Sequence, residues 1–140
     1  MRARVSLVVS LLAAAALPSA AAEPGNAIVV RADIAKSEIE RILNADNLDT
    51  DSMDAREVVD IIETIPRGRA PDDFWEAYQR HVDAWEYMAQ LTGEPGEEAD
   101  DKELEAADRA INRTFDEVER IARGYGARMP LPMTEVRHIA

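Results

Sequence analysis

The pattern of apolar and polar residues along the chain predicts α-helices. Apolar side chains recur every three or four residues in four stretches, about 33–43, 52–65, 71–92 and 101–123. No stretch sustains a two-residue alternation, and neither Asn-Gly nor Asp-Gly marks a hairpin turn. The expected apolar faces are Ile28, Ala32, Ala35, Ile39, Ile42 and Leu43 in the first stretch; Ala55, Val58, Val59, Ile62 and Ile65 in the second; Phe74, Tyr78, Val82, Trp85 and Ala89 in the third; and Leu104, Ile111, Phe115, Val118 and Ala122 in the fourth.

Residues that break or cap helices predict where these helices end. The first helix is expected to begin only near Asp33, because Val30 and Ile34 fall off its apolar face. Pro66 closes the second helix, since proline lacks the backbone N–H and clashes with the preceding turn. The fourth helix opens on an aspartate followed three residues later by a glutamate, which is the spacing of a capping box. Gly126, after Gly124, ends that helix.

The connections between the helices predict how they pack. The breaker segment 93–96 is short, so the two long helices that it joins are expected to form an antiparallel pair. The two shorter helices must bury their apolar faces against that pair. The sequence therefore predicts an all-α protein, a compact four-helix bundle with short connections, over residues 23–128. A proline-containing, extended C-terminal tail, 129–140, follows it.

The first 22 residues have the pattern of a secretory signal peptide. Arg2 and Arg4 precede the apolar run Val5–Leu17, and the small residues Ala20–Ala22 follow it. The run is too short to cross about 30 Å of hydrocarbon, which takes roughly 20 apolar residues. We therefore expect cleavage before Glu23, a periplasmic or secreted protein, and no stable membrane anchor after cleavage.

Composition argues against several classes of function. The chain has 28 acidic residues against 16 lysines and arginines and a net charge of −12, so a nucleic acid is not expected as a partner. It has no cysteine, which excludes disulfides, thiolate metal sites, a cysteine nucleophile and covalently attached haem. Neither a phosphate-binding loop nor the surroundings of a catalytic serine are recognisable. We expect a protein that is not an enzyme and carries no cofactor, while its oligomeric state stays open.

The acidic segment before the second helix has part of a calcium-loop pattern. Asn47, Asp49 and Asp51 alternate as the first ligands of an EF-hand do, but the required glycine and glutamate are missing from the sixth and twelfth positions. We interpret the segment as a solvated turn whose carboxylates cap the second helix. The acidic run 94–105 is interpreted as a solvated loop and helix start. Binding of divalent cations to these acidic loops is left open.

His81 has the most specific candidate chemistry. It lies on the apolar face of the third helix, where it could bind haem with Met53 as second axial ligand, or zinc together with carboxylates. We favour a buried histidine with a hydrogen-bond partner, because an unpartnered polar group in a core is costly. Asp108 or Asn112 of the fourth helix is the predicted partner, with water or a backbone carbonyl as the alternative. Pairing of His81 with Asp108 would raise the pKa of the imidazole.

Two aromatic residues of the third helix are candidates for a partner-binding surface. Trp75 lies at the edge of the apolar face and Tyr87 points away from it. Large aromatics outside a core are favoured at binding hot spots, although both could also lie flat on neighbouring elements. The expected function is that of an exported, acidic, non-catalytic interaction or accessory protein with a protein partner. The alternative is a protein that binds a small ligand or metal through the pocket at His81 or the acidic loops.

Overall fold

The computed structural model describes residues 24–93 and 99–132 and confirms the all-α fold. The predicted signal peptide, its cleavage site and tail residues 133–140 lie outside the described residues. A 3₁₀ turn, Thr50–Ser52, precedes the second helix, and no strand occurs in this part of the chain. The helices are α1 (Pro24–Ala45), α2 (Ala55–Ile62), α3 (Asp72–Thr92) and α4 (Asp101–Gly124).

Helices α3 and α4 form the predicted antiparallel pair. Tyr125, just after α4, donates its hydroxyl to Asp73 Oδ1 at the start of α3 over 2.8 Å. His81, in the middle of α3, contacts Thr114 and Phe115 in the middle of α4. The predicted bounds of both helices agree with the structure to within one residue. This agreement follows from their length, because several turns of apolar periodicity specify a helix more firmly than one or two.

One apolar core joins all four helices. Phe74 and Tyr78 of α3 lie at its centre and are completely buried. Residues from the second half of α1 and from α4 belong to the same core. A smaller cluster formed by Ala55, Val59 and Ala89 joins α2 to the C-terminal half of α3. The main core consists of Ile39, Ile42, Leu43, Val58, Ile62, Ile65, Ala70, Phe74, Ala77, Tyr78, Val118, Ala122 and Ala127.

Helix α1 begins earlier than predicted, and its first turns lie outside the core. It starts at Pro24 rather than near Asp33. Ile28, which the pattern placed on the buried face, is 69% exposed, and Ala32 is exposed as well. The face becomes buried only from Ala35 onward. Periodicity identifies the apolar side of a helix, but whether a neighbouring element covers that side depends on where the other helices end.

Helix α2 is shorter than predicted at both ends, since it stops at Ile62 before Pro66 is reached and a capping box fixes its start at Ala55. Asp54 Oδ1 accepts a hydrogen bond from the Glu57 backbone nitrogen at 2.8 Å, and Glu57 Oε2 accepts one from the Asp54 nitrogen at 3.0 Å. These two bonds satisfy donors that the first turn leaves unpaired. A carboxylate thus caps α2, but it is that of Asp54 and not one from the predicted turn at 47–51. At α4 the side chain of Asp100 accepts from the Lys102 nitrogen, a simple N-cap in place of the expected capping box.

The segment after α4 lies across α1 and the loop that follows α1. Gly126 has a φ of +74°, the left-handed conformation that glycine adopts without strain, and it turns the chain away from the helix axis. The Arg128 backbone nitrogen donates to Glu40 Oε1 at 2.8 Å. Asn47 Nδ2 donates to the Leu131 carbonyl oxygen at 2.9 Å. These bonds hold the described part of the tail against the body of the protein.

Candidate functional site

A cavity of about 230 Å³ lies beside His81, and we refer to it as the His81 cavity. All four helices contribute to its walls, together with the loop after α1 and the C-terminal segment. A dry cavity of about 150 Å³ can hold benzene, so this space is large enough for a small organic molecule. Its lining consists of Leu43, Asp46, Asn47, Leu48, Thr50, Val58, His81, Trp85, Ile111, Asn112, Phe115 and Pro130.

A chain of hydrogen bonds fixes the protonation of His81. Trp85 Nε1 lies 3.2 Å from His81 Nε2, and an indole nitrogen can only donate, so Nε2 is the acceptor and carries no proton. The proton of the neutral ring is then on Nδ1, which donates to Thr114 Oγ1 over 3.0 Å. Thr114 donates in turn to the Ala110 carbonyl oxygen at 2.8 Å. The imidazole is therefore held as one tautomer, with both nitrogens engaged.

Burial keeps this imidazole neutral. His81 is 3% exposed. Desolvation lowers the pKa of His81 from 6.5 to about 4, and a hydrogen bond with the Ile111 backbone acts in the opposite direction. The lone pair on Nε2 accepts from Trp85, so binding of iron or zinc to His81 would have to break that bond. In the described ranges no three acidic or histidine side chains are placed to hold a metal ion.

The structure does not form the predicted pair between His81 and Asp108 or Asn112. Asp108 is exposed, and its Oδ2 accepts from Asn112 Nδ2 at 3.2 Å. Ala107, which is 0% exposed, lies on the inner face of α4 in place of Asp108. The residue opposite His81 is Thr114, two positions beyond the predicted contact. A shift of two residues turns an α-helix by about 200°, which presents a different face.

Asp46 is the second ionisable group in the cavity wall, and the sequence analysis missed it. It is partly buried, and its Oδ1 accepts only a long hydrogen bond of 3.4 Å from the Tyr78 hydroxyl. No lysine or arginine of the described ranges forms an ion pair with it. Desolvation raises the pKa of Asp46 from 3.8 to about 7, and the Tyr78 bond lowers it in part. Its place in the sequence could have revealed it, because Asp46 follows the buried residues Ile39, Ile42 and Leu43 at the spacing of one helix face.

The candidate partner-binding residues do not form one surface. Trp75 is partly buried, and its ring centroid lies 5.6 Å from that of Tyr78, so it packs against the core. Tyr87 is 44% exposed. At a rise of 1.5 Å per residue the two lie about 18 Å apart along the axis of α3. Of this pair, Tyr87 alone is exposed to solvent.

The acidic turn before α2 contacts the C-terminal segment. Asn47 donates to Leu131, which directs this side chain toward the tail. Ser52 donates its hydroxyl to the Asp49 carbonyl oxygen at 3.0 Å and stabilises the 3₁₀ turn. Asp51 is exposed. The cap of α2 comes from Asp54, so the carboxylates at 49 and 51 do not perform the capping expected of them.

Comparisons with known proteins leave the cavity as the main guide to function. No protein-family model matches this chain, and no curated protein and no solved structure is significantly similar to it. Over the ranges that the structure describes, every helix is too short or too polar to cross a membrane. The chemistry of the cavity wall is therefore the feature from which a function can be argued.

Proposed function

We propose that this protein is an exported, non-catalytic binding protein that takes a small organic ligand into the His81 cavity. The observation that carries the proposal is the composition of the cavity wall. Apolar side chains form most of it, and a few polar groups converge on the same space, among them a carboxyl group with a strongly raised pKa. This combination is typical of ligand-binding sites. Export rests on the signal-peptide pattern of residues 1–22.

The hydrogen bonding of the wall supports binding over catalysis. A catalytic site needs an acid, a base or a nucleophile that can reach the ligand. His81 uses both ring nitrogens within the protein. Asp46 is then the single ionisable group of the cavity lining that is available to a ligand. One carboxyl group is sufficient to recognise a ligand, whereas most acid–base reactions need a second group to complete the proton transfer.

A protein-binding function stays a prediction from the sequence. Its two candidate residues lie far apart on α3, and Trp75 packs against the core. The exposed ring of Tyr87 is the observation that favours it. The cavity gives the stronger argument, because its apolar walls and the carboxyl group of Asp46, which has no ion-pair partner in the described ranges, lie together at one place.

Binding of small aromatic probes tests the proposed function. Toluene, benzyl alcohol and benzylamine are titrated into the folded protein, and the indole N–H resonance of Trp85 reports binding because this group borders the cavity. We expect a saturable shift with at least one probe. In the Thr50→Trp variant, a large side chain at the exposed edge of the cavity should abolish that shift. Thr64→Trp, an exposed position at the end of α2 away from the cavity, is the matched control.

Two outcomes would contradict the proposed function. One is the absence of a saturable shift with all three probes in the wild-type protein. The other is binding that is as strong in Thr50→Trp as in Thr64→Trp, which would place the bound probe elsewhere on the surface.

A further inference from the structure

We infer that the His81 cavity selects a small organic cation, an ammonium group carried on an apolar body, and that Asp46 is the residue that recognises its charge. The inference rests on the proposed function and specifies the chemical class of the ligand. It follows from three properties of the wall. The carboxyl group of Asp46 can accept further hydrogen bonds, no cationic side chain pairs with it in the described ranges, and aromatic rings border the same space.

Asp46 carries the largest free acceptor capacity among the polar groups of the wall. Asn47 Nδ2 already donates to Leu131, and Asn112 Nδ2 donates to the Asp108 carbonyl oxygen at 3.0 Å. Both nitrogens of His81 are engaged. The carboxylate of Asp46 can accept about four hydrogen bonds, yet the structure gives it one long bond from a hydroxyl group. An ammonium group can donate the hydrogen bonds that this carboxylate still accepts, whereas an ionised carboxylate or phosphate has no proton to donate to it.

The charge around the cavity favours a cation as well. Asp46 has no ion-pair partner within the described ranges, and the only other ionisable group of the lining, His81, is neutral. The rings of Trp85 and Phe115 border the cavity, and aromatic faces attract ammonium groups. The chain carries a net charge of −12, which raises the local concentration of cations and lowers that of anions.

The raised pKa of Asp46 supports the inference and adds a pH dependence. A bound ammonium group favours the ionised carboxylate, so binding at neutral pH releases a proton from the fraction of Asp46 that is protonated. Affinity should therefore increase as the pH rises from 6 to 8. Tyr78, which contacts Asp46, and His81, which lines the same cavity, do not titrate in this interval, because desolvation raises the pKa of Tyr78 and lowers that of His81 to about 4.

A pair of probes of nearly the same shape tests the inference. Benzylamine is protonated throughout the pH interval, whereas benzyl alcohol is neutral. At pH 7.5 we expect benzylamine to bind the wild-type protein at least about tenfold more tightly, a difference that corresponds to roughly 1.4 kcal/mol. Asp46→Asn, which keeps the size of the side chain, should remove this preference and leave the affinity for benzyl alcohol within about twofold of wild type. Asp83→Asn, at an exposed position of α3 outside the cavity, is the control.

The outcomes separate this inference from the proposed function. If both probes bind equally, or if Asp46→Asn keeps the preference for benzylamine, the cavity binds ligands but the inference about their charge is wrong. If no probe binds, both proposals fail. The wild-type pH series does not depend on the folding of a variant. An affinity for benzylamine that does not rise between pH 6 and 8, or that rises equally for benzyl alcohol, would contradict recognition by Asp46.

Discussion

Two consecutive stretches of α3 use the same apolar face in different ways. At Phe74 and Tyr78 the face is sealed, since both residues are 0% exposed and their rings stack with centroids 6.3 Å apart. At His81 and Trp85, only a few residues further on, the face borders a cavity of about 230 Å³. The pattern placed Trp85 in the core together with Phe115 of α4, but both are only partly buried.

The difference arises where α1 ends. Ile39, Ile42 and Leu43 cover the first stretch of α3 with closely packed aliphatic side chains. The helix then stops at Ala45, and the loop that follows covers the second stretch. A loop cannot present side chains at regular helical spacing, and this one brings polar residues, Asp46 among them, to the edge of the core. The comparison shows that an apolar face determines which side of a helix is directed toward the core, but not how completely that side is covered.

The largest expected effect compares two phenylalanines. Phe74→Ala empties a fully packed position and should lower the free energy of unfolding by about 3–5 kcal/mol. Phe115→Ala removes a ring that is partly exposed and already borders empty space, so its cost should stay below about 2 kcal/mol. Urea denaturation of both variants measures the two losses. Equal losses would show that the sealed and the open stretch do not differ energetically.

The second prediction concerns the carboxyl group that the loop brings to the cavity. The pKa of Asp46 is raised in the folded state, so its contribution to stability is present below the unfolded value of 3.8 and is lost as the pH rises through about 7. Asp46→Asn mimics the protonated form at every pH. Its stability relative to wild type should therefore increase between pH 4 and 7, by up to about 4 kcal/mol. Chemical denaturation across this interval measures the increase, and a constant difference would contradict the raised pKa.

His81 contributes with the opposite sign. Its folded pKa of about 4 lies below the unfolded value of 6.5, so only the unfolded chain takes up the proton between these values, and stability falls as the pH falls from 6.5 to 4. In the wild-type protein the contributions of Asp46 and His81 oppose each other over this range. In Asp46→Asn the free energy of unfolding should therefore rise more steeply with pH than in the wild-type protein. This difference separates the effect of Asp46 and His81 from that of the many exposed carboxylates, which both proteins share.

The third prediction tests the hydrogen bonds that hold His81. Thr114→Val keeps the shape of the side chain but removes the acceptor of the Nδ1 proton, which should cost about 1–3 kcal/mol. Thr92→Val, at an exposed position near the end of α3, should change stability little. In the wild-type protein, nitrogen chemical shifts should show the proton on Nδ1 and none on Nε2. The reverse tautomer would refute the chain of donors from Trp85 through His81 to Thr114.

The smallest expected effect lies at the sealed end. Arg41 of α1 donates to the carbonyl oxygens of Pro66 and Arg67 at 2.8 and 3.2 Å and so joins α1 to the turn before α3. Gly68 in this turn has a φ of +58°, and a Cβ atom there would lie 2.5 Å from Glu38 Oε2. Gly68→Ala should therefore lower the melting temperature and cost about 1–2 kcal/mol.

Gly124→Ala is the matched control for this variant. Gly124 ends α4, and a Cβ atom there meets nothing within 4 Å. Alanine also favours the helical conformation more than glycine does, so this variant should be neutral or slightly more stable. A loss in Gly124→Ala as large as that in Gly68→Ala would mean that neither the φ angle nor the contact with Glu38 explains the effect.

How far the sequence predicted this protein depended on the range of the interactions involved. The bounds of α3 and α4 follow from periodicity and from breakers that act within a few residues, and they were predicted closely. The buried side of α4 was predicted at Val118 and Ala122. The partner of His81 was not, because it depends on how α4 slides along α3, and a slide of two residues exchanges Asn112 for Thr114. Asp46 continues the helical spacing of Ile39, Ile42 and Leu43, but it lies just beyond the end of α1, where burial depends on elements distant in sequence.

The sequence by itself determined that the described chain is helical, where α3 and α4 run, and which of their sides are apolar, because these properties depend on neighbours within one or two turns. The tertiary structure decided which of those sides are covered. Ile28 is exposed because none of the described helices reaches it, and Trp85 borders a cavity because α1 ends before it can cover that ring. Covering a side chain requires several segments to meet at one place. The His81 cavity and its unpaired carboxyl group therefore exist only in the folded arrangement of α1, α3, α4 and the C-terminal segment.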